Sequence, residues 1–406
     1  MKLIKEYLTI RRQSEDICCR LATEDFVVQP VPEVSPPKWH LAHISWFFEE
    51  LILCKNLPGY QRFNQQYAVL FNSYYKAAGE HWIQGERGQL SRPSVEEVYA
   101  YRRYVDEHMV TFLENHKITA ETSQLLILGL HHEQQHQELL LMDIKYILGM
   151  NPIEVKYSAT ALPEADKPLA AWSRFQEGTY QIGHQGTEFS FDNERPKHTA
   201  YLHKYGISES LVSNGEYLEF INSKDYNNHK LWLSLGWDWK NKYQIKRPLY
   251  WRDDKKEGLL EFTLHGVQRL DLNKPVAHIS YFEADAFAAW KGCRLPTEFE
   301  AEQFLNNAPN INAGKSSSEQ LFHANDANQI TDQLWFWTSS HYSPYPGFRP
   351  FSGMVEEYNG KFMCQQFVLK GGCIATPQNH YRHSYRNFYF PEQRWMFSGI
   401  RLTRDI

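Results

Sequence analysis

From residue 120 to 148 the chain runs without a proline and keeps apolar residues at helical spacing, stopping at Gly149. A segment of that length can only be a long helix. It carries His132 and His136, four residues apart. Side chains at i and i+4 share a helix face, so both imidazoles can meet one metal ion. Neutral imidazole suits iron, copper, nickel and zinc. His131 points away from that face and reads as structural. Glu138 is placed for a contact that fixes a ligand's tautomer.

A third ligand must come from another helix. Residues 1–23, 40–55 and 94–116 also show helical periodicity. Pro30, Pro32, Pro36 and Pro37 precede the second of these, where a helix start tolerates them. Ser94 followed by Glu97 reads as a capping box for the third. Four long helices predict a four-helix bundle, whose metal sites are built from inward groups on facing helices. In the run Leu41-Ala42-His43-Ile44, His43 is the residue expected to face the interior. A buried, hydrogen-bonded core histidine is the competing reading for His43 taken alone. His43, His132 and His136 together favour a metal. Three neutral ligands leave octahedral positions open and the metal charge uncompensated, which suits an anionic thiolate.

The same letters admit a second chemistry. His132-Glu133-Gln134-Gln135-His136 matches H-E-x-x-H, in which two histidines bind zinc and the glutamate activates water. Nothing downstream offers an evident third peptidase ligand. A third reading, a non-catalytic binding module with a lectin-like second half, predicts that no metal is held.

Beyond residue 150 the texture changes. Residues 151–175 read as a linker with proline, alanine and mixed charge. From 176 to 406 apolar runs are short, as in Thr179–Ile182, Phe367–Lys370 and Gly399–Leu402, and helices are expected only near 213–223 and 281–291. The fold class is therefore a helical bundle over 1–150 followed by an irregular α+β domain. The 406 residues carry a net charge of −5, which argues against a nucleic-acid face. No run is apolar enough to span a membrane, and the amino terminus turns polar too soon for a signal peptide. None of the six cysteines forms a C-x-x-C pair, so reduced thiols and a cytoplasmic setting are expected. The 12 Trp, 24 Tyr and 24 Phe suit either aromatic cores or a pocket for a flat or cationic ligand.

Trp39-His40-Leu41-Ala42-His43 with Trp46-Phe47-Phe48-Glu49, and His132 through Glu138, closely resemble the iron-dependent sulfoxide synthases of ergothioneine biosynthesis. Arg294-Leu295-Pro296-Thr297-Glu298, Trp337-Thr338-Ser339-Ser340, Gly371-Gly372 and Ser398-Gly399-Ile400-Arg401-Leu402 look like the sulfatase-modifying, formylglycine-generating fold, which is related to C-type lectins. The resemblance spans about residues 10 to 404. It implies a DinB-like bundle fused to that fold, with the second half walling the substrate pocket. It implies Fe(II) on His43, His132 and His136. It further implies O2-dependent coupling of a thiol to C2 of N-α-trimethylhistidine (hercynine), giving a sulfoxide. Gln135, Asn387 and Phe388 match positions toward hercynine, and Tyr74 and Tyr75 match a pair of active-site phenols. Tyr389 and Gln393 replace charged residues of the γ-glutamylcysteine branch, so cysteine is the favoured donor. Arg87 is then the expected partner of its carboxylate. A selenium donor, used by similar proteins, is the alternative. Cys364 and Cys373 lack the spacing of a formylglycine-generating pair, so that activity is not expected.

Overall fold

The computed structural model describes residues 2–307 and 321–406. The chain divides into two compact units, Met1–Tyr157 with Phe351–Tyr358, and Ser158–Pro350 with Asn359–Ile406.

Four long helices build the first unit: α1 (Lys2–Cys18), α2 (Pro37–Phe48), α3 (Val95–Asn115) and α4 (Ala120–Gly149). Pro36 caps α2 and Pro37 opens it, where a missing N–H costs nothing. Every residue of α2 is buried, so this helix is the centre of the unit, packed against α3 and α4. Past Phe48 it widens into a π-helical turn, Glu49–Leu53. Such turns cluster at functional sites. Here Glu49 leaves the turn to accept hydrogen bonds from the hydroxyls of Tyr101 and Tyr60, at 2.6 and 2.7 Å.

The expected cap of α3 is present. Ser94 Oγ accepts the Glu97 N–H at 3.1 Å, and the Glu97 carboxylate accepts the Ser94 N–H at 2.6 Å. On α4, Gly129 faces two rings of α2. A Cβ there would stand 2.7 Å from a Phe48 ring carbon and 2.9 Å from one of Phe47. Glycine lets the two helices approach, and that approach sets His43 opposite His132.

The second unit mixes small sheets with short helices. Its strands are β1 (Trp172–Phe175), β2 (Gly178–Ile182), β3 (His198–Leu202), β4 (Tyr205–Ser208), β5 (Trp251–Asp254), β6 (Gly258–Thr263), β7 (Gly266–Arg269), β8 (Trp335–His341), β9 (Phe367–Lys370), β10 (Asn387–Tyr389), β11 (Ser398–Gly399) and β12 (Thr403–Asp405). They pair as β1-β4-β12, β2-β3, β5-β6-β7 and β10-β9-β8-β11. Helices α5 (Asn214–Asn222) and α7 (Tyr281–Trp290) fall where periodicity places them, each opened by a Ser/Glu capping box. Two more, α6 (Ser234–Lys242) and α8 (Glu298–Asn307), were not anticipated. The reason for α6 is local: Gly236, a poor helix former, is needed because a Cβ would meet Phe282 at 2.8 Å. Among the described residues, no helix is long and apolar enough to cross a membrane.

Candidate metal centre

α2 supplies His43, and α4 supplies His132 and His136 from one face. One ring nitrogen of each lies within 4.8 Å of the others. The rings meet at steep angles, His43 to His132 at 82° and His132 to His136 at 80°, with centroids 5.0 and 4.7 Å apart. Three lone pairs thus converge from three directions, a donor set suited to an octahedral metal with open positions.

The remaining nitrogens decide which tautomer each ring adopts. His43 Nδ1–H donates to the Phe71 carbonyl at 2.6 Å, leaving Nε2 as its donor to a metal. Behind His136 stands a relay. His136 Nδ1 and His40 Nδ1 are 2.8 Å apart, and His40 Nε2 lies 2.9 Å from Asp143 Oδ2. That carboxylate oxygen also accepts the Ser35 N–H at 2.8 Å. A carboxylate only accepts, so His40 carries its proton on Nε2 and offers a lone pair at Nδ1. His136 must then donate from Nδ1, which frees its Nε2. His132 Nδ1 is buried with no partner, a state rare for a buried polar atom. Burial, reinforced by neighbouring imidazoles, pushes His43 and His136 well below the usual histidine value and brings His132 to about 3. All three rings are therefore neutral, the form that binds a metal.

Changing Asp143 to Asn removes the carboxylate charge behind the relay and brings in an amide N–H that can donate to His40 and reverse it. Metal affinity is expected to fall by roughly 10–100-fold, the usual cost of losing such support. Competition with a chelator measures it; an unchanged affinity would show the relay to be idle.

Glu133, the middle letter of the H-E-x-x-H match, is fully buried and faces away from the triad. It takes Arg11 Nη1 at 3.1 Å, Arg102 Nη2 at 3.2 Å and the Ser14 hydroxyl at 2.7 Å. Burial raises its pKa, but Arg11 and Arg102 outweigh burial and hold it below the usual range. A carboxylate locked between two guanidiniums cannot take a proton from water, so the peptidase reading fails.

The structure brings several other sequence-derived candidates into the first unit. Gln135 is half-buried, and its Oε1 accepts the Tyr358 hydroxyl at 2.5 Å. Tyr358 is also edge-on to His132, centroids 5.9 Å apart. Tyr74 and Tyr75 stack on each other at 4.6 Å. The Arg87 guanidinium is buried, donates to Ser35 Oγ at 2.7 Å and lies 3.3 Å from the Trp39 ring centroid. Glu138 is buried two residues past His136. Asn387 and Phe388 belong to the second unit, on β10, where Phe388 stacks on Tyr342 at 4.0 Å.

Sequence reasoning missed His40, Asp143 and Tyr358. Asp143 is seven residues beyond His136, hence on the same helix face, and that spacing could have revealed it. Tyr358 left no local signal.

Residues 158–332 match the model of the sulfatase-modifying factor enzyme 1-like domain. Hercynine oxygenase of Mycobacterium tuberculosis is 30% identical over 307 residues, covering 68% of this chain and 70% of that protein. The hercynine oxygenase of Mycolicibacterium smegmatis is 30% identical over 314 residues, covering 69% and 71%. Ergothioneine biosynthesis protein 1 of Schizosaccharomyces pombe is 30% identical over 276 residues, or 64% of this chain and 32% of that protein. A bundle with a three-histidine cluster followed by this domain, and relatives of that identity and coverage, lead to one conclusion: the chain belongs to the hercynine oxygenase family of enzymes.

Proposed function

We propose that the chain joins the sulfur of L-cysteine to C2 of hercynine in an O2-dependent reaction that yields a sulfoxide, with Fe(II) on His43, His132 and His136. The observation that carries this reading is the converging neutral triad with its Asp143–His40 support, taken with the family's name. Bound there, Fe(II) would supply O2 activation and a position for an anionic thiolate.

The protein's own residues hold the reactants and move protons. Gln135 orients the imidazole of hercynine, and Tyr358 fixes the Gln135 amide by donating to its oxygen. Asn387 and Phe388 are assigned to hercynine by their match to the family's pattern, the ring being suited to a quaternary ammonium. Arg87, held by Ser35 and Trp39, meets the cysteine carboxylate. Tyr74 and Tyr75 are the proton donors; burial, with the phenols of Tyr74 and Tyr358 beside it, pushes Tyr75 well above the usual tyrosine value, so it stays protonated. In this reading the first 150 residues are a DinB-like bundle, and residues 176–406, joined through 151–175, are a sulfatase-modifying, lectin-related domain.

The test is mass spectrometry of products from Fe(II), O2 and hercynine with cysteine, γ-glutamylcysteine or a selenosugar in turn. A cysteine adduct at C2 carrying one sulfoxide oxygen is expected. Product only from the selenosugar moves the donor to selenium, and no product from any donor overturns the reading. Tyr74→Phe and Tyr75→Phe are expected to shift turnover from sulfoxide toward oxidised thiol at unchanged iron content. A product ratio unmoved in both single variants and the double variant rules out their proton-donor role.

A further inference from the structure

The His43 ring is sandwiched between two indoles. Trp39 lies 4.6 Å away at an interplanar angle of 11°, and Trp46 lies 5.6 Å away on the other side at 15°. The stack continues. Trp46 to Tyr75 is 5.6 Å at 26°, and Tyr75 to Tyr74 is 4.6 Å at 28°. Five rings thus form one column running from Trp39 through the ligand His43 to Tyr74, which is half-exposed. A single stretch of backbone sets the planes. Carbonyls of Ala68, Leu70 and Phe71 accept the ring N–H groups of Trp46, Trp39 and His43 at 3.0, 3.3 and 2.6 Å.

Packing alone would be served by phenylalanine at these positions. Indole and phenol differ from it in giving up an electron readily. The two ends of the column are also unequal. The Arg87 cation lies 3.3 Å from the Trp39 centroid, where it opposes a positive charge on that indole. On the other side, among the described residues, no cation is stacked on Trp46. The buried Tyr75 phenol has the Tyr74 phenol as its hydrogen-bonding neighbour and no route of its own to solvent, so it serves as a bridge. Tyr74 reaches solvent.

We propose that Trp46, Tyr75 and Tyr74 form a relief path for oxidising equivalents at the metal. The proposal rests on the reading that the triad holds redox-active iron. When O2 is reduced there and no hercynine is bound, one electron leaves Trp46 for the centre. The oxidised indole keeps its N–H on the Ala68 carbonyl. An electron from Tyr74, passed through Tyr75, restores Trp46. Tyr74 releases its phenol proton to water, and an external thiol then returns one hydrogen atom to it. Two such thiyl radicals combine as a disulfide. Each electron delivered to the centre thereby oxidises one thiol, and the ligand imidazoles are spared.

Trp46→Phe and Trp46→Tyr test this, since both keep a ring in the stack and only tyrosine can be oxidised. Parent and variants are loaded with Fe(II), checked for one iron per chain, and aerated with cysteine but without hercynine. Peptide mass spectrometry then follows oxygen added to His43, His132 and His136. Oxidation of the ligands is expected to be several-fold faster in Trp46→Phe than in the parent, with Trp46→Tyr close to the parent. Freeze-quenched parent is expected to show a tyrosyl radical by electron paramagnetic resonance, absent in Tyr74→Phe. Equal damage in Trp46→Phe and parent, equal damage in both variants, iron lost from Trp46→Phe, or a parent without any aromatic radical overturns the path. A parent that binds no iron overturns the iron reading itself, and the metal assay distinguishes that failure from the others.

Discussion

Glutamine in place of His136 is expected to empty the centre of metal and take turnover below detection while the fold persists. Glutamine is close to histidine in volume, so the substitution leaves little void. An amide can still donate to the His40 Nδ1 that now faces His136 Nδ1 at 2.8 Å. What is lost is one of three nitrogens that come within 4.8 Å of each other. The two that remain sit on different helices, and with only two imidazole donors the site loses its facial geometry. The loss of affinity should exceed the roughly 10–100-fold expected when support behind a ligand is removed. Iron per chain after dialysis, beside far-ultraviolet circular dichroism, measures both halves of the expectation. Stoichiometric iron in a folded His136→Gln protein would place the metal elsewhere. The ranking matters too: Asp143→Asn should fall between this variant and the parent, because it disturbs the tautomer of His136 without removing it.

The triad was legible because helical periodicity alone puts His132 and His136 on one face, and because the apolar run around His43 forces that ring inward. The α3 cap was legible because Ser94 and Glu97 satisfy each other locally. The relay was not. Glu138 drew attention by nearness in sequence and lies buried on α4, while the hydrogen bonds of the relay run through His40 and Asp143. His40 and Asp143, on different helices, are joined only by the close packing of α2 on α4 that Gly129 permits. The grouping of Phe351–Tyr358 with the first unit is likewise a tertiary fact, since eight loop residues carry no periodicity. α6 was hidden by Gly236, which its packing against Phe282 requires. The clustering of the three histidines was therefore readable from sequence, and what orients their rings was not.

Alanine in place of Glu133 has the other large effect expected of this chain, and it acts on stability. The Glu133 carboxylate ties α4 to α1 through Arg11 and Ser14, and to α3 through Arg102. All four side chains are buried. Removing the acid leaves Arg102, also bonded to the carbonyls of Leu41 and Arg11, without its buried counter-charge. Arg11 keeps Asp106 at 2.7 Å, which softens the loss. Breaking a buried pair from one side costs about 3–5 kcal/mol, and Asp106 places this case near the lower bound. At about 2–4 °C per kcal/mol, Tm should drop by on the order of 10 °C. The effect is pH-dependent with a definite sign. The folded-state pKa is depressed by Arg11 and Arg102, so the contribution is present above the unfolded value of about 4.3 and is lost as pH falls through the folded one. The gap between parent and Glu133→Ala should therefore be widest near neutrality and close on acidification. Glu133→Gln, which keeps an acceptor and the volume, should lose less Tm and retain iron and turnover. Thermal melts over that pH range, with iron and turnover measured on the folded variant, decide the matter. A Glu133→Gln protein of parental Tm but no turnover would return the carboxylate to the chemistry.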